Sequence, residues 1–136
     1  MIVVETSAWS RALRRPASGP PHPAAELIRR LVQEGEPLAV PGIVLQELLS
    51  GVRTREQFER LDGVMQPFPL LLATREHHLL AARITNTCRA AGIATTTPDT
   101  LIAASTILAG GTLLTWDADF AYIARVVPMG LRLERD

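Results

Sequence analysis

The chain has 136 residues, of which 47% are hydrophobic, and its 14 basic residues are balanced by 14 acidic residues. A chain of this length can bury about two-thirds of the surface of its unfolded form, and we expect residues 1–136 to form a single domain. The balanced charge weighs against tight, non-specific binding to nucleic acid, which a strong positive field would favour.

The basic residues are all arginine, and the lack of lysine excludes a P-loop and Schiff-base chemistry. No G-x-G-x-x-G is present, which excludes the usual dinucleotide site. The single cysteine, Cys88, has no partner within the chain, and neither a leader-like segment nor an apolar run of membrane-spanning length is found. We therefore expect a cytoplasmic protein.

The first segment predicts a buried strand that ends at a carboxylate. Ile2–Val4 is apolar and leads directly into Glu5, after which a helical pattern begins. Thr6 and Ser7 are better helix caps than Glu5, so capping does not explain the glutamate well. Ligands of open α/β sheets bind outside the carboxyl ends of the strands, which makes Glu5 a candidate site residue by position.

Short apolar strands alternate with helices along the rest of the chain. A segment rich in proline, 16–23, interrupts the first helix, and a second helix runs from Ala24 to Gly35. The further predicted elements are strands at 38–40, 68–71, 112–115 and 131–133 and helices at 43–52, 53–65, 75–91, 97–109 and after Asp117. This order predicts an α/β fold with a short, mostly parallel sheet covered by helices, in which 68–71 and 131–133 are edge strands.

Three later acidic residues fall where they can converge on the end of the first strand. Glu47 lies at the edge of an apolar helix face, Asp99 lies in the first turn of a helix, and Asp117 follows a strand. We predict Thr97 as the N-cap of the helix that contains Asp99. Taken singly, the three have ordinary structural explanations, as a solvated helix residue, a favourable charge at a helix N-terminus and an N-cap.

Taken together, the carboxylates predict a metal site. Two ionised carboxylates about 5 Å apart repel by about 3 kcal/mol at an effective dielectric constant of about 20, so a cluster of four requires a cation. Oxygen ligands without histidine or cysteine favour Mg²⁺ or Mn²⁺ over zinc. His22, His77 and His78 lie outside these segments, and we expect them to be surface residues of helices.

The sequence resembles the PIN-domain family and, within it, the VapC toxins of bacterial and archaeal toxin-antitoxin pairs. Four blocks carry the resemblance in the family's order, and together they extend over essentially the whole chain. They are IVVETSAW at 2–9, PGIVLQELLSG at 41–51, PDTLIAA at 98–104 and LLTWDADF at 113–120. The resemblance implies a PIN-like, three-layer α/β/α fold.

The resemblance further implies a metal-dependent endoribonuclease that uses Mg²⁺ or Mn²⁺. The positions that match the family's catalytic carboxylates are Glu5, Glu47, Asp99 and Asp117, and the implied metal ligands among them are Glu5, Asp99 and Asp117. The implied auxiliary side chains are Asp119, Thr6 and Thr115. The implied partners are an RNA substrate, a second copy of the chain in a homodimer, and a small VapB-like antitoxin whose tail covers the site.

Arginines and tryptophans near these blocks are candidates for contact with RNA. The arginines are Arg11, Arg14, Arg15 and Arg53, although a solvated helix face explains each of them equally well. Trp9 and Trp116 flank the acidic motifs and are candidates to stack a base. Core packing is the better explanation for Trp9.

One position departs from the family, because Glu5 stands where an aspartate is usual. Its side chain reaches about 1.5 Å further, and Mg²⁺ requires octahedral ligands at about 2.0 to 2.1 Å. A misplacement of about 1 Å can reduce a rate about a hundredfold. Glu5 is thus consistent with a slow natural enzyme, an attenuated engineered form, or a fold kept for binding an antitoxin or RNA. An acidic-site phosphatase fits less well, because no nucleophilic aspartate is followed two residues later by an acid here.

Overall fold

Five short strands and seven helices make up the fold in a computed structural model that describes residues 1–136. The strands are β1 (Ile2–Val4), β2 (Leu38–Pro41), β3 (Leu70–Leu71), β4 (Thr112–Thr115) and β5 (Gly130–Leu133). The helices are α1 (Thr6–Leu13), α2 (Pro23–Gln33), α3 (Gly42–Leu49), α4 (Arg55–Met65), α5 (Arg75–Ala90), α6 (Thr97–Leu108) and α7 (Asp119–Val126). The strands form one sheet in the order β3-β2-β1-β4-β5, and each neighbouring pair is parallel.

Helices cover both faces of this sheet. Consecutive residues of a strand point to opposite faces, and both members of the pairs Val3–Val4 and Leu113–Leu114 have no exposed surface. The architecture is therefore the predicted three-layer α/β/α fold, and the sheet is wholly parallel.

The two ends of the sheet are β3 and β5, as predicted. Pro69 has no N–H to offer, but its carbonyl accepts a hydrogen bond from Val40 N at 2.9 Å at the start of the short β3 pairing. At the other end, a Cβ on Gly130 would lie 2.8 Å from the Gly111 carbonyl oxygen. The β4–β5 pairing therefore requires glycine at position 130.

Several helix boundaries differ from the sequence predictions by a few residues. The N-cap of α6 is Thr96 rather than Thr97, since its hydroxyl accepts a hydrogen bond from Asp99 N at 3.3 Å. Helix α3 ends at Leu49 rather than at 52, because Gly51 adopts a φ of 85° that reverses the chain. Helix α1 begins directly after Glu5, which is itself the N-cap.

The order of the strands determines which loops meet. Strand β1 is central and lies between β2 and β4, and parallel strands place their carboxyl ends at one edge of the sheet. The residues that follow these three strands therefore share that edge. Among the helices, none combines the length and the apolar character that crossing a membrane requires.

Candidate metal centre

Glu5 is buried at the end of β1, with 5% of its surface exposed, and its side chain folds back to cap α1. Its Oε2 accepts hydrogen bonds from Ser7 N at 2.9 Å, from Thr115 Oγ1 at 2.7 Å, and from Ser7 Oγ. The interpretation of Glu5 as a poor cap beside Thr6 and Ser7 is wrong. The backbone turns at Glu5 itself, and the glutamate is long enough to reach both Ser7 and β4.

The same hydroxyls tie two turns of the chain together. Thr115 Oγ1 accepts a hydrogen bond from Asp117 N at 2.9 Å, and Ser7 Oγ accepts one from Trp116 N at 2.8 Å. We call Glu5, Ser7 and Thr115 the Glu5 network; it links the turn after β1 to the turn after β4. The sequence analysis named Ser7 only as a candidate helix cap and not as a site residue, for which its only signal is a hydroxyl two residues after the carboxylate.

Opposing effects act on the Glu5 carboxyl group. Burial raises its pKa, and the hydrogen bonds from Ser7 and Thr115 oppose that rise by stabilising the ionised form. The negative charge of Asp117 raises the pKa further. The pKa of Glu5 therefore depends on the charge of Asp117, the carboxylate that follows β4.

Three aspartates form a separate group at the same edge, which we call the aspartate cluster. Asp99 lies in the first turn of α6, Asp117 follows β4, and Asp119 begins α7. One carboxylate oxygen from each lies within 4.8 Å of the others. Asp99 and Asp117 are partly buried, Asp119 is exposed, and Asp117 Oδ1 accepts a hydrogen bond from Asp119 N at 2.9 Å.

None of the three aspartates forms a salt bridge with a basic residue of the chain. The pKa of Asp99 is raised to about 6, first by burial and then by the charges of Asp117, Glu5 and Glu47, while the Thr96 hydroxyl opposes the rise. A carboxyl group with a raised pKa in a field of like charges gains from a bound cation. The donors are carboxylate oxygens alone, which fits Mg²⁺ or Mn²⁺.

Glu47 lies outside the aspartate cluster but within its electrostatic field. It is exposed on α3, and its Oε1 accepts a hydrogen bond from Thr6 Oγ1 at 2.8 Å. This bond joins the start of α1 to α3. The structure therefore gathers the four acidic candidates at one edge, with the three aspartates in mutual reach and with Glu5 and Glu47 beside them.

The four candidate arginines separate into two groups. Arg11 forms a bidentate ion pair with Asp136 and donates to the Ser7 carbonyl at 3.2 Å. Arg14, Arg15 and Arg53 are exposed and line a groove of about 980 Å³ that no acidic residue lines. The hydrogen bonds to Asp136 raise the pKa of Arg11, and the charges of Glu5 and Asp117 raise it further.

The histidines and tryptophans do more than the sequence indicated. His22 and His77 are not simple surface residues, because His22 Nδ1 accepts from Ala24 N at 3.0 Å and His77 Nδ1 accepts from Thr74 N at 3.1 Å, so each ring caps a helix. Trp9 is 2% exposed and packs edge-on against Phe68, which confirms core packing. The Trp116 ring packs edge-on against His22, with centroids 5.6 Å apart.

A wholly parallel α/β sheet with carboxylates at the ends of its central strands defines the class of this protein. The family model of the PIN domain matches residues 2–126, and the chain belongs to the PIN-domain family. No curated protein matches the sequence.

Solved structures share the fold at low sequence identity. One of these structures is VapBC2 from Rickettsia felis bound to a DNA fragment from the VapBC2 promoter. A chain of it is 20% identical, with a TM-score of 0.79 over 98% of this chain and 99% of that one. VapBC-1 from nontypeable Haemophilus influenzae gives 19% identity and a TM-score of 0.76 over 98% of each chain. A toxin-antitoxin complex from Klebsiella pneumoniae gives 17% identity and a TM-score of 0.74 over 100% of each chain.

Proposed function

We propose that the chain is a divalent-metal-dependent endoribonuclease and the toxin of a VapBC-type toxin-antitoxin pair. The observation that carries the proposal is the aspartate cluster, whose oxygens lie within 4.8 Å of one another at the ligand-binding edge of a PIN domain. The fold shared with VapBC proteins supports the assignment to a toxin-antitoxin pair.

In this proposal, Asp99, Asp117 and Asp119 would hold the ion, and Oε1 of Glu5, which accepts no hydrogen bond in the Glu5 network, would be available to it. When bound, Mg²⁺ or Mn²⁺ supplies a Lewis acid for the phosphodiester and lowers the pKa of a water nucleophile. Thr115 keeps Asp117 in place through the hydrogen bond from Asp117 N. The hydrogen bond from Thr6 to Glu47 keeps that carboxylate at the rim, where it would serve as the general base for the water nucleophile.

The groove lined by residues of α1, α3 and α4 supports a peptide partner. Its base includes Leu13, Leu48 and Leu61, and its rim carries Arg14, Arg15, Arg53 and Arg60. An apolar floor with an arginine rim suits an amphipathic segment with acidic residues better than a bare phosphate backbone. We therefore propose that a VapB-like antitoxin binds here, which reassigns Arg14, Arg15 and Arg53 from RNA contact to partner contact.

Cleavage of single-stranded RNA tests the proposal directly. The purified chain should cut RNA with Mg²⁺ or Mn²⁺ and should not cut it with EDTA, and Asp99→Asn should lower the rate by at least about a hundredfold. Asp62→Asn removes the same charge from α4, outside the aspartate cluster, and should leave the rate unchanged. Cleavage by Asp99→Asn in the presence of EDTA would contradict the proposal.

The alternative is a PIN-fold protein that binds an antitoxin or RNA without cutting. Glu5 favours this alternative, because Ser7 and Thr115 already occupy one of its oxygens. Expression of the free chain in a bacterial host separates the two functions. Growth arrest that Asp99→Asn abolishes supports the nuclease, whereas arrest that persists in Asp99→Asn supports the binding function.

The homodimer implied by the family resemblance also stays a proposal. Two apolar side chains offer surface for a second copy: Leu70, 40% exposed, lies in the edge strand β3, and Leu72, 69% exposed, directly follows it. Light scattering coupled to gel filtration measures the mass of the purified chain. A monomer across the accessible concentration range would contradict the dimer.

A further inference from the structure

A second charged site lies beside the acidic edge. Arg11 Nε and Nη2 donate to the Asp136 carboxylate at 2.9 Å and 2.7 Å, and His22 Nε2 lies 2.6 Å from Asp136 Oδ1. We call Arg11 and His22 the anion site. Its present occupant is a side chain of the same polypeptide.

The donors of the anion site are held in place by other contacts. His22 Nδ1 accepts a hydrogen bond from Ala24 N, which can only donate, so the proton of the neutral ring is on Nε2 and points to Asp136. The Trp116 ring supports the imidazole edge-on, and the Ser7 carbonyl accepts from Arg11 Nη1 at 3.2 Å. A guanidinium fork and a fixed imidazole N–H form a preorganised receptor for an anion with several oxygens.

The cavity around the anion site is larger and more positive than one carboxylate requires. It measures about 300 Å³ and is lined by the anion site together with Arg14, Arg135, Pro23 and Asp136. Three guanidinium groups therefore line a cavity that one side-chain carboxylate enters, and Arg14 among them lines both this cavity and the groove of about 980 Å³. The fork geometry of arginine matches phosphate as well as carboxylate.

Asp136 is held by its side chain and not by its backbone. The last backbone hydrogen bond of its segment runs from Glu134 N to Thr115 O at 2.9 Å. The Asp136 side chain is 58% exposed, whereas those of Arg11 and His22 are 25% and 27% exposed. The hydrogen bonds from Arg11 and then His22 hold the pKa of Asp136 well below its usual range, so it stays ionised. Such a carboxylate can leave while its receptor stays formed.

The position of the anion site relates it to the proposed cleavage site. Arg11 lies on α1, whose N-cap is Glu5, and it senses the charges of both Glu5 and Asp117. Trp116, which supports His22, directly precedes Asp117. A phosphate bound by Arg11 and His22 would therefore lie within electrostatic range of the proposed cleavage site, as expected for a second phosphate of the same RNA strand.

We propose that Arg11 and His22 form a phosphate-binding subsite for RNA and that Asp136 occupies it as an internal competitor. This inference rests on the proposed ribonuclease function and extends it to a residue that opposes substrate binding. RNA must displace the carboxylate before its backbone can bind the guanidinium fork. Removing the carboxylate should therefore strengthen RNA binding, although it removes an ion pair.

The test measures the binding of a fluorescein-labelled, ten-nucleotide single-stranded RNA by fluorescence anisotropy at low salt in the presence of Ca²⁺. A gel shows that the RNA stays intact. Asp136→Asn should bind about tenfold more tightly than the unsubstituted chain, because a charge-assisted contact becomes available. Its salt dependence should steepen, since each additional phosphate contact on a single strand adds about 0.7 to the slope of log K against log salt. Arg11→Gln in the Asp136→Asn background should remove the gain.

The matched control is Glu134→Gln, which also removes one negative charge from this segment but from a residue paired with Arg132. An equal gain in Glu134→Gln, unchanged affinity in Asp136→Asn, or no saturable binding by that variant would overturn the subsite. Titration of the His22 ring signals by RNA locates the contact, and signals that do not move on binding would also overturn it. Because binding is measured without cleavage, an inactive chain can still reveal the subsite, and an active nuclease can still lack it.

Discussion

Glu5 and the aspartate cluster lie at the same edge of the sheet, but their charges are balanced in different ways. Oε2 of Glu5 accepts three hydrogen bonds from Ser7 and Thr115 within the protein. In the aspartate cluster, Asp117 accepts the Asp119 N–H, and the pKa of Asp99 rises to about 6. The Glu5 network thus balances its charge with protein donors, whereas the aspartate cluster forms no salt bridge within the chain, and we propose that a cation balances its charge. We infer that the network supports the fold and that the cluster supports the chemistry.

The largest expected effect is on RNA cleavage and concerns the aspartate cluster. Asp117→Asn should lower metal-dependent RNA cleavage by at least about a hundredfold, because it removes a proposed metal ligand. The same change should leave the metal-free stability unchanged or raise it by up to about 1 kcal/mol, since it removes one of several like charges. Cleavage assays and urea unfolding measure the two quantities. A marked loss of stability would instead show that Asp117 supports the fold.

A smaller effect is expected on the free energy of unfolding and concerns the Glu5 network. Thr115→Val removes the donor to Glu5 and the acceptor for Asp117 N, and it should lower the free energy of unfolding by about 2 kcal/mol. Thr106→Val is the matched control, because Thr106 is equally buried but bonds only to the Ile102 carbonyl of its own helix. Its cost should stay below about 1 kcal/mol. Equal costs in urea unfolding would show that the network adds no stability.

Glu5→Asp should lower stability and raise RNA cleavage. The shorter side chain retreats from Thr115, which should lower the free energy of unfolding by about 1 kcal/mol. A carboxylate at the position usual in the family should raise RNA cleavage about tenfold. Glu5→Gln keeps the length without the charge and should not raise cleavage. A decrease of cleavage in Glu5→Asp would mean that the chain is adapted to glutamate at this position.

The smallest effect concerns the protonation of Asp99. Its raised pKa means that the folded, metal-free chain retains a proton that the unfolded chain releases. The resulting stabilisation is present below the unfolded pKa of about 4 and is lost as the pH rises towards about 6. Mg²⁺ must displace this proton, so its apparent affinity should fall about tenfold per pH unit below about pH 6. Calorimetric titrations at several pH values measure this dependence, and Asp99→Asn should weaken it.

Sequence periodicity predicted most elements because burial on both faces of a strand leaves a direct signal. Ile2–Val4 is an apolar run that precedes the first helix, and Thr112–Thr115 has two leucines and lies between two helices. The structure confirms both as strands of a parallel sheet. Helix boundaries leave a weaker signal in the sequence than the elements themselves, since two adjacent threonines are equivalent candidates for the N-cap. Thr96 rather than Thr97 caps α6 because its hydroxyl meets Asp99 N.

Side-chain partnerships were harder to predict, because they depend on residues far apart in the chain. Capping preferences rank serine and threonine above glutamate, yet Glu5 caps α1 because Thr115, 110 residues away, supplies a further donor. The same reason explains His22, whose partner Asp136 is 114 residues away. It also explains why Arg11 separates from Arg14, Arg15 and Arg53.

The sequence alone determined the alternation of strands and helices and the positions of its acidic residues after them, since both follow from local hydrophobic patterns. Parallel strand order then brought those acids to one edge. Only the tertiary structure decided which carboxylates are satisfied by protein donors and which are not. The physical reason is that a carboxylate's role depends on the donors and charges that surround it in space, and distant segments of the chain supply them.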